Sequence, residues 1–319
     1  MAKITLRMIA ERAGVSVGTV SMVLNEKGNI SEETRRNVKD IAQQLGYRRR
    51  RPGNGAVGIT GNVPDSLVAC LLQAAAEYGY SLHHFDLSNA DTTALRSHVK
   101  LAGVIVYGGL WHPDLLAAVS RAYPTVLMGG SIPDTQVDSV WVDSSEGTSL
   151  ATQHLIDHGH RTLGLINGPG TTITSWEKRI GFERVAYNHQ HLQVKAVTVS
   201  TPEFTQEDGG SATRRLLRQH PDVTGIIAGN GNLGLGVLAA LQELGMQVPT
   251  DISLVVFHDC MQLQNTTPPL TAIWLPELNI AREVVLHLVR RIQEPNATGR
   301  RLLLKPSLAK RASVAVIPH

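Results

Sequence analysis

The apolar positions of this chain follow two rhythms. Over residues 6–45 they recur at helical spacing, and from Ala56 onward they gather in short runs that alternate with amphipathic stretches. In the first region, Leu6–Ala13 and Val17–Asn25 read as two helices joined by a tight turn. Ala10 stands where two crossing helices leave room only for a methyl, and Gly14 where the chain needs a positive φ. Ser16 caps the second helix, while Val20 and Val23 face back onto the first. Thr5 caps the first helix. Ser31-Glu32-Glu33 opens a third helix running to about Leu45, with acids at the end the helix dipole favours. Val38, Ile41, Ala42 and Leu45 close a three-helix core. Together these constraints read as a helix-turn-helix.

In the second region, Val57–Gly61, Ser81–Phe85, Gly103–Tyr107, Thr125–Met128 and Val137–Val142 read as strands. Asp65–Tyr78, Asp91–Lys100 and Pro113–Arg121 read as the helices between them. After a helix near Ser144–His158 the pattern restarts. Strands follow at Thr162–Ile166, Ala196–Val199, Val223–Ala228 and Ile252–Phe257, with helices at Ser175–His189, Gln206–Gln219, Leu233–Leu244 and Pro276–Gln293. Such alternation predicts parallel sheets wound by right-handed crossovers, here two doubly wound α/β lobes with a cleft between them. The expected domains are residues 1–46, a linker over 47–56, and a body over 57–319. Lobe 1 covers about 57–143 plus segments crossing back from the C-terminal part. Lobe 2 covers about 160–272 plus the last strands.

Charge sharpens this division. The chain of 319 residues carries a formal +3. Residues 1–51 hold 11 Lys and Arg against 5 Asp and Glu, a net +6, and the remainder holds 19 against 22, a net −3. A basic head on a mildly acidic body points to a polyanion, and duplex DNA suits it better than a membrane surface because the head lacks a bulky amphipathic face. The longest nearly apolar run, around Leu101–Trp111, is too short and too glycine-rich to span a bilayer. No signal peptide is read at the N-terminus, and the two cysteines, Cys70 and Cys260, suit a reducing compartment, so a cytoplasmic protein is expected.

Particular residues resemble the lactose/galactose repressor (LacI/GalR) family of bacterial transcription regulators over nearly the whole chain. In the head these are Ala13-Gly14-Val15-Ser16, Thr19-Val20-Ser21, Val23-Leu24-Asn25, Ser31, Thr34-Arg35 and Leu45-Gly46-Tyr47. In the body they are Val142-Asp143, His154-Leu155-Ile156, Gly159-His160, Gly181-Phe182, Asn230, Pro268-Pro269-Leu270-Thr271 and Arg311-Ala312-Ser313. The resemblance implies a DNA-binding head, a hinge and a two-lobed body like periplasmic sugar-binding proteins of type I. It also implies a homodimer on a palindromic operator, repression of a carbohydrate or related catabolic operon, and a small-molecule effector between the lobes.

The second helix would enter the major groove by its N-terminal end. Ser16, Thr19 and Ser21 are short donors suited to phosphates, with Asn25 and Ser31 beside them, and the DNA-binding set adds Thr5 and Tyr47. The family implies base contacts at Val17, Gly18 and Met22. Where it usually has arginine, this chain has Met22, which cannot donate a hydrogen bond to guanine but suits a thymine methyl. Met8 stands where an aspartate commonly completes a capping box. The family's hinge helix, with its minor-groove leucine, has no counterpart. Instead Arg48, Arg49, Arg50 and Arg51 precede Pro52-Gly53, which suits phosphates or a narrow minor groove.

In the cleft, family sugar binders place an arginine, an asparagine–aspartate pair and a further aspartate. Here those positions hold Lys178, Asn230-Gly231 and His258, and another aspartate position is Gly129. With Asp143 retained and Arg179 beside Lys178, the set Asp143, Lys178, Arg179, Asn230 and His258 suits an anionic effector, a sugar phosphate or organic acid, better than a neutral sugar. A regulator with a cleft that binds no effector is the alternative. Gly229-Asn230-Gly231-Asn232-Leu233-Gly234 matches a dinucleotide fingerprint, but its strand is about the third of its lobe and no acid ends the next strand at the right distance. His154, His158 and His160 resemble metal-ligand spacing without the metalloprotease glutamate. No cofactor, metal or enzymatic activity is expected.

Overall fold

A computed structural model describes residues 6–24, 30–45, 55–61, 63–85, 101–108, 113–130 and 137–317. The chain divides into two compact units, residues 1–53 and 54–319.

The first unit holds α1 (Leu6–Ala13), α2 (Val17–Leu24) and α3 (Glu32–Gln44). Its core is Ile9, Ala10, Val20, Val23, Val38 and Ala42, all buried, with Ile41 and Leu45 packed against them. Gly14 adopts φ +66°, a conformation that would strain any side chain, and it ends α1 as its spacing requires. Asn37 Nδ2 donates to the carbonyl of Ala13 at 3.3 Å, which ties the end of α1 to α3.

The second unit is built on two six-stranded sheets. Lobe 1 has β1 (Gly55–Thr60), β2 (Tyr80–Phe85), β3 (Leu101–Tyr107), β4 (Thr125–Met128), β5 (Asp138–Val142) and β11 (Arg301–Leu304), in the order β11-β5-β4-β3-β1-β2. All its pairings are parallel. The helices α4 (Asp65–Glu77), α5 (Pro113–Ala122) and α11 (Glu277–Gln293) belong to it. Lobe 2 has β6 (Thr162–Asn167), β7 (Lys195–Ser200), β8 (Gly225–Ala228), β9 (Ser253–Phe257), β10 (Thr271–Trp274) and β12 (Ser307–Ala309), in the order β12-β10-β9-β8-β6-β7. Only its edge pairing β10–β12 is antiparallel. Its helices are α6 (Ser144–Asp157), α7 (Ile173–Asn188), α8 (Gln206–Gln219), α9 (Gly231–Glu243) and the short α10 (Met261–Gln264). The buried strands read as continuous apolar runs because helices cover both faces of a parallel sheet.

The chain passes between the lobes three times, after β5, after β10 and between β11 and β12. Two strands are thereby exchanged late in the sequence. The strands β10, β11 and β12 were not legible from periodicity, for each has three or four residues and two lie on sheet edges. The linker expected over 47–56 overlaps the start of β1, since Gly55 and Ala56 already pair with Tyr80 and Ser81. The helix expected over Asp91–Lys100 lies outside the described residues.

At the start of β5, Asp138 is fully buried. Its carboxylate accepts from Arg290, Arg291 and His287 of α11 and from the backbone of Arg300, at 2.7–3.1 Å. Burial pushes its pKa up, but the hydrogen bonds from Arg300, His287, Arg291 and Arg290 outweigh this and hold it below the usual carboxylate range. Asp138 thus fastens the last long helix and the returning strand β11 to lobe 1.

Candidate nucleic-acid interface and effector cleft

The head shows one polar face and one packed face on α2. Ser16 Oγ accepts the backbone N–H of Thr19 at 3.0 Å, the cap expected of it, and lies 2.9 Å from Thr19 Oγ1. Val20 and Val23 are fully buried, whereas Val17 is 46% and Met22 42% exposed. Gly18 is exposed and Ser21 half-buried. A 3.6-residue period makes this separation: positions 18 and 22 share a face away from 20 and 23, with 17 at its edge. Met22 therefore does not fill the head's core. Ser31 Oγ accepts the N–H of Thr34 at 3.3 Å and caps α3. Thr5, Asn25, Tyr47 and Arg48–Arg51 lie outside the described residues. The exposed face of α2 offers short hydroxyls beside two apolar side chains, a surface able to meet phosphates at its margins and methyl groups at its centre.

In the body, the carboxyl ends of both sheets face the junction of the lobes. A Cβ added to Gly130, after β4, would lie 3.9 Å from Cβ of Ile173 at the start of α7. Asp143 accepts the N–H of Glu146 at 2.8 Å and caps α6, and Asn230 accepts the N–H of Leu233 at 2.8 Å and caps α9. Both side chains are thus committed to helix ends. Gly234, the last glycine of the fingerprint-like run, lets α9 close onto β9, since a Cβ there would come within 2.7 Å of Val256. That close approach accounts for the glycine without a nucleotide.

Lys178 and Arg179 are neighbours in sequence with different surroundings. Lys178 is only 6% exposed. Its Nζ lies 4.5 Å from the centroid of the Phe257 ring and 5.9 Å from that of Phe204. Among the described residues its ammonium has no hydrogen-bond acceptor. Burial pulls its pKa down to about 8, against a smaller opposing effect of Glu177. Arg179 instead lines a separate pocket of about 430 Å³ with Trp176, Glu183, Thr198 and Ser200. It stands 3.8 Å from Glu183, both side chains half exposed. The two cations therefore do not converge on one site.

His258 adopts φ +74°, strained for a residue with a side chain. Its Nε2 is 2.9 Å from Oε1 of Glu277, across the lobes at the start of α11. The same Oε1 accepts the hydroxyl of Ser66 at 3.0 Å. A second bridge joins Glu177 of α7 to Arg301 of β11 at 2.8 Å. Burial raises the Glu177 pKa, partly offset by Arg301. Tyr107, at the end of β3, is pushed up to about 12 by burial and then by Glu277. Glu277, Glu177, Arg301 and Phe204 were missed from the sequence. Each is distant along the chain from its partner, and a lone acid at a helix start is an ordinary feature.

Among the described residues no group of three or more His, Cys, Asp or Glu could hold a metal ion. His154 and His158 stack edge to face at 4.2 Å, and His158 Nδ1 lies 2.7 Å from the carbonyl of His154. Among the described residues no helix is long and apolar enough to cross a membrane.

A helix-turn-helix head followed by a two-lobed α/β body with charged groups at the lobe junction defines a class, the DNA-binding transcription regulators with an effector-binding domain. Residues 5–50 match the family of bacterial regulatory proteins, lacI family, and residues 152–314 match the periplasmic binding protein-like domain. The transcriptional regulator CelR of Thermobifida fusca is 31% identical over 337 aligned positions, covering 97% of this chain and 98% of that protein. A solved CelR–cellobiose complex superposes with TM-score 0.72 at 27% identity, covering 98% of this chain and 100% of that one. A Lac repressor dimer bound to operator and the anti-inducer ONPF gives TM-score 0.71 at 25% identity, with the same coverage. The chain belongs to the lacI family and is a DNA-binding transcriptional regulator.

Proposed function

We propose that this protein is a cytoplasmic, non-enzymatic repressor of a carbohydrate or related catabolic operon, bound as a homodimer to a palindromic operator. The CelR–cellobiose and Lac repressor–operator complexes support this assembly by similarity. The recognition helix α2 presents Val17, Gly18 and Met22 to base edges. Thr5, Ser16, Thr19, Ser21, Asn25, Ser31 and Tyr47 hold phosphates, and Arg48–Arg51 follow the backbone or a narrow minor groove. The exposure of Val17 and Met22 on α2, while Val20 and Val23 are fully buried, is the observation that carries the reading. Genomic footprinting of the bound protein should return a palindrome with T·A at the step facing Met22. Selection of guanine there overturns that contact, and failure to bind any duplex at low ionic strength overturns the function. Replacing Arg48–Arg51 by alanine should flatten the salt dependence of binding, because the slope falls by roughly one unit for every phosphate left unneutralised.

The effector sits between the lobes and carries an anionic group that Lys178 holds, as a sugar acid, sugar phosphate or organic acid does. A Lys178 side chain that is 6% exposed and without a hydrogen-bond acceptor among the described residues supports this. In a thermal-shift panel such anions should stabilise the protein, and stabilisation by neutral sugars alone refutes it. The bridges His258–Glu277 and Glu177–Arg301, which occupy the junction from within, favour a second reading, a regulator that needs no effector. A panel in which nothing stabilises the protein selects it.

A further inference from the structure

Four cationic or hydrogen-donating side chains are candidates to meet an anion in the cleft: Lys178, Arg179, His258 and Arg301. Three already have an acid. Arg179 faces the pocket beside β7 with Glu183. Arg301 is held by Glu177 at 2.8 Å. His258 is held at 2.9 Å by Glu277, whose oxygen is fixed in turn by Ser66. The His258 and Glu277 side chains are each only one-fifth exposed, and His258 has a strained φ of +74°. Lys178 alone, 6% exposed between Phe257 and Phe204, has no acceptor among the described residues.

Resting on the reading that the effector is an anion, we infer that Glu277 is the specificity-determining residue of the cleft: it stands in for a ligand carboxylate on His258, so the effector is a small monocarboxylate whose single charge goes to Lys178. A second ligand carboxylate would have to displace Glu277 from His258 and Ser66, leaving a half-buried carboxylate without its donors. A phosphate monoester would bring about two charges and three acceptor oxygens to one ammonium walled by aromatic rings. A monocarboxylate matches that ammonium in charge, and the Phe257 and Phe204 rings suit the apolar carbon frame beside it.

Calorimetric titration of the full-length protein with gluconate, glucuronate, glucarate, glucose 6-phosphate and glucose tests this. The wild type should bind a monocarboxylate at least tenfold more tightly than glucarate or glucose 6-phosphate. Lys178→Met should lose that binding. Glu277→Gln, which removes the negative charge at His258 and weakens its hold on the imidazole, should raise glucarate affinity at least tenfold, and Glu277→Gln combined with His258→Asn should abolish the gain. Should Glu277→Gln fold poorly, Glu277→Ala with the same readout replaces it. Anions that bind through Lys178 with dianions as tight as monoanions, or an unchanged preference in the Glu277 variants, overturn the role of Glu277 and leave the anionic effector standing. Binding of glucose without dependence on Lys178, or of no anion at all, overturns both.

Discussion

Lys178 shows at the scale of one residue how the burial of a cation opposes stability. Its side chain is 6% exposed and has no hydrogen-bond acceptor among the described residues, so burial, against a smaller opposing effect of Glu177, pulls its pKa down to about 8. A base whose folded pKa is depressed has its full stability above the unfolded value, near 10.5, and loses it as pH falls through about 8. At neutral pH the burial therefore costs of the order of 3 kcal/mol. Lys178→Met should raise the unfolding free energy by about 1–3 kcal/mol in urea titration. His154 and His160 carry the same sign lower on the pH scale. Burial pulls both to about 4, and the nearby His158 adds to it in each case. Their stabilising effect is present above about 6.5 and is lost as pH falls toward 4. Chemical denaturation at pH 7, 5.5 and 4.5 should show a progressive loss of about 1–2 kcal/mol per histidine, reduced in a His154→Gln variant.

At the scale of elements, caps and one buried carboxylate fix where helices begin. Asn230 and Asp143 each accept a backbone N–H at 2.8 Å, so alanine at either should cost about 1 kcal/mol by thermal unfolding. Asp138→Ala should cost far more, about 3–5 kcal/mol, because it leaves two arginines and a histidine facing a buried void. Most elements were legible from period alone: α1, α8 and β4 begin and end where the pattern puts them. The strands β10–β12 were not, because three or four residues carry too few alternations to declare a period. The neighbours Lys178 and Arg179 could not be told apart either. One helical residue is a turn of about 100°, and only the packing of α7 against Phe257 decides which faces inward.

At the scale of the molecule, the three crossings between lobes are flanked by two polar bridges, His258–Glu277 and Glu177–Arg301. A hydrogen bond to a charged group contributes about 1.5–3 kcal/mol when partly buried. The double variant Glu177→Gln, Glu277→Gln should therefore loosen the lobe junction. Amide exchange near residues 143–146 and 277–280 should quicken roughly tenfold, with the melting of the remaining sheets little changed. Exchange unaltered at these positions would show that the apolar packing of the crossings alone sets the lobe angle.

The order of residues by itself determined the trihelical head, the alternation of strand and helix, the basic head on an acidic body, and the family to which both belong. These are local or additive properties, set by spacing, propensity and summed charge. Only the tertiary structure decided that Lys178 is the cation without an acceptor among the described residues, that Arg179 lines another pocket, and that His258 already has a carboxylate. Those facts depend on residues 19 to 124 positions apart meeting at the lobe junction. No local period encodes which donor finds which acceptor when two sheets close on each other.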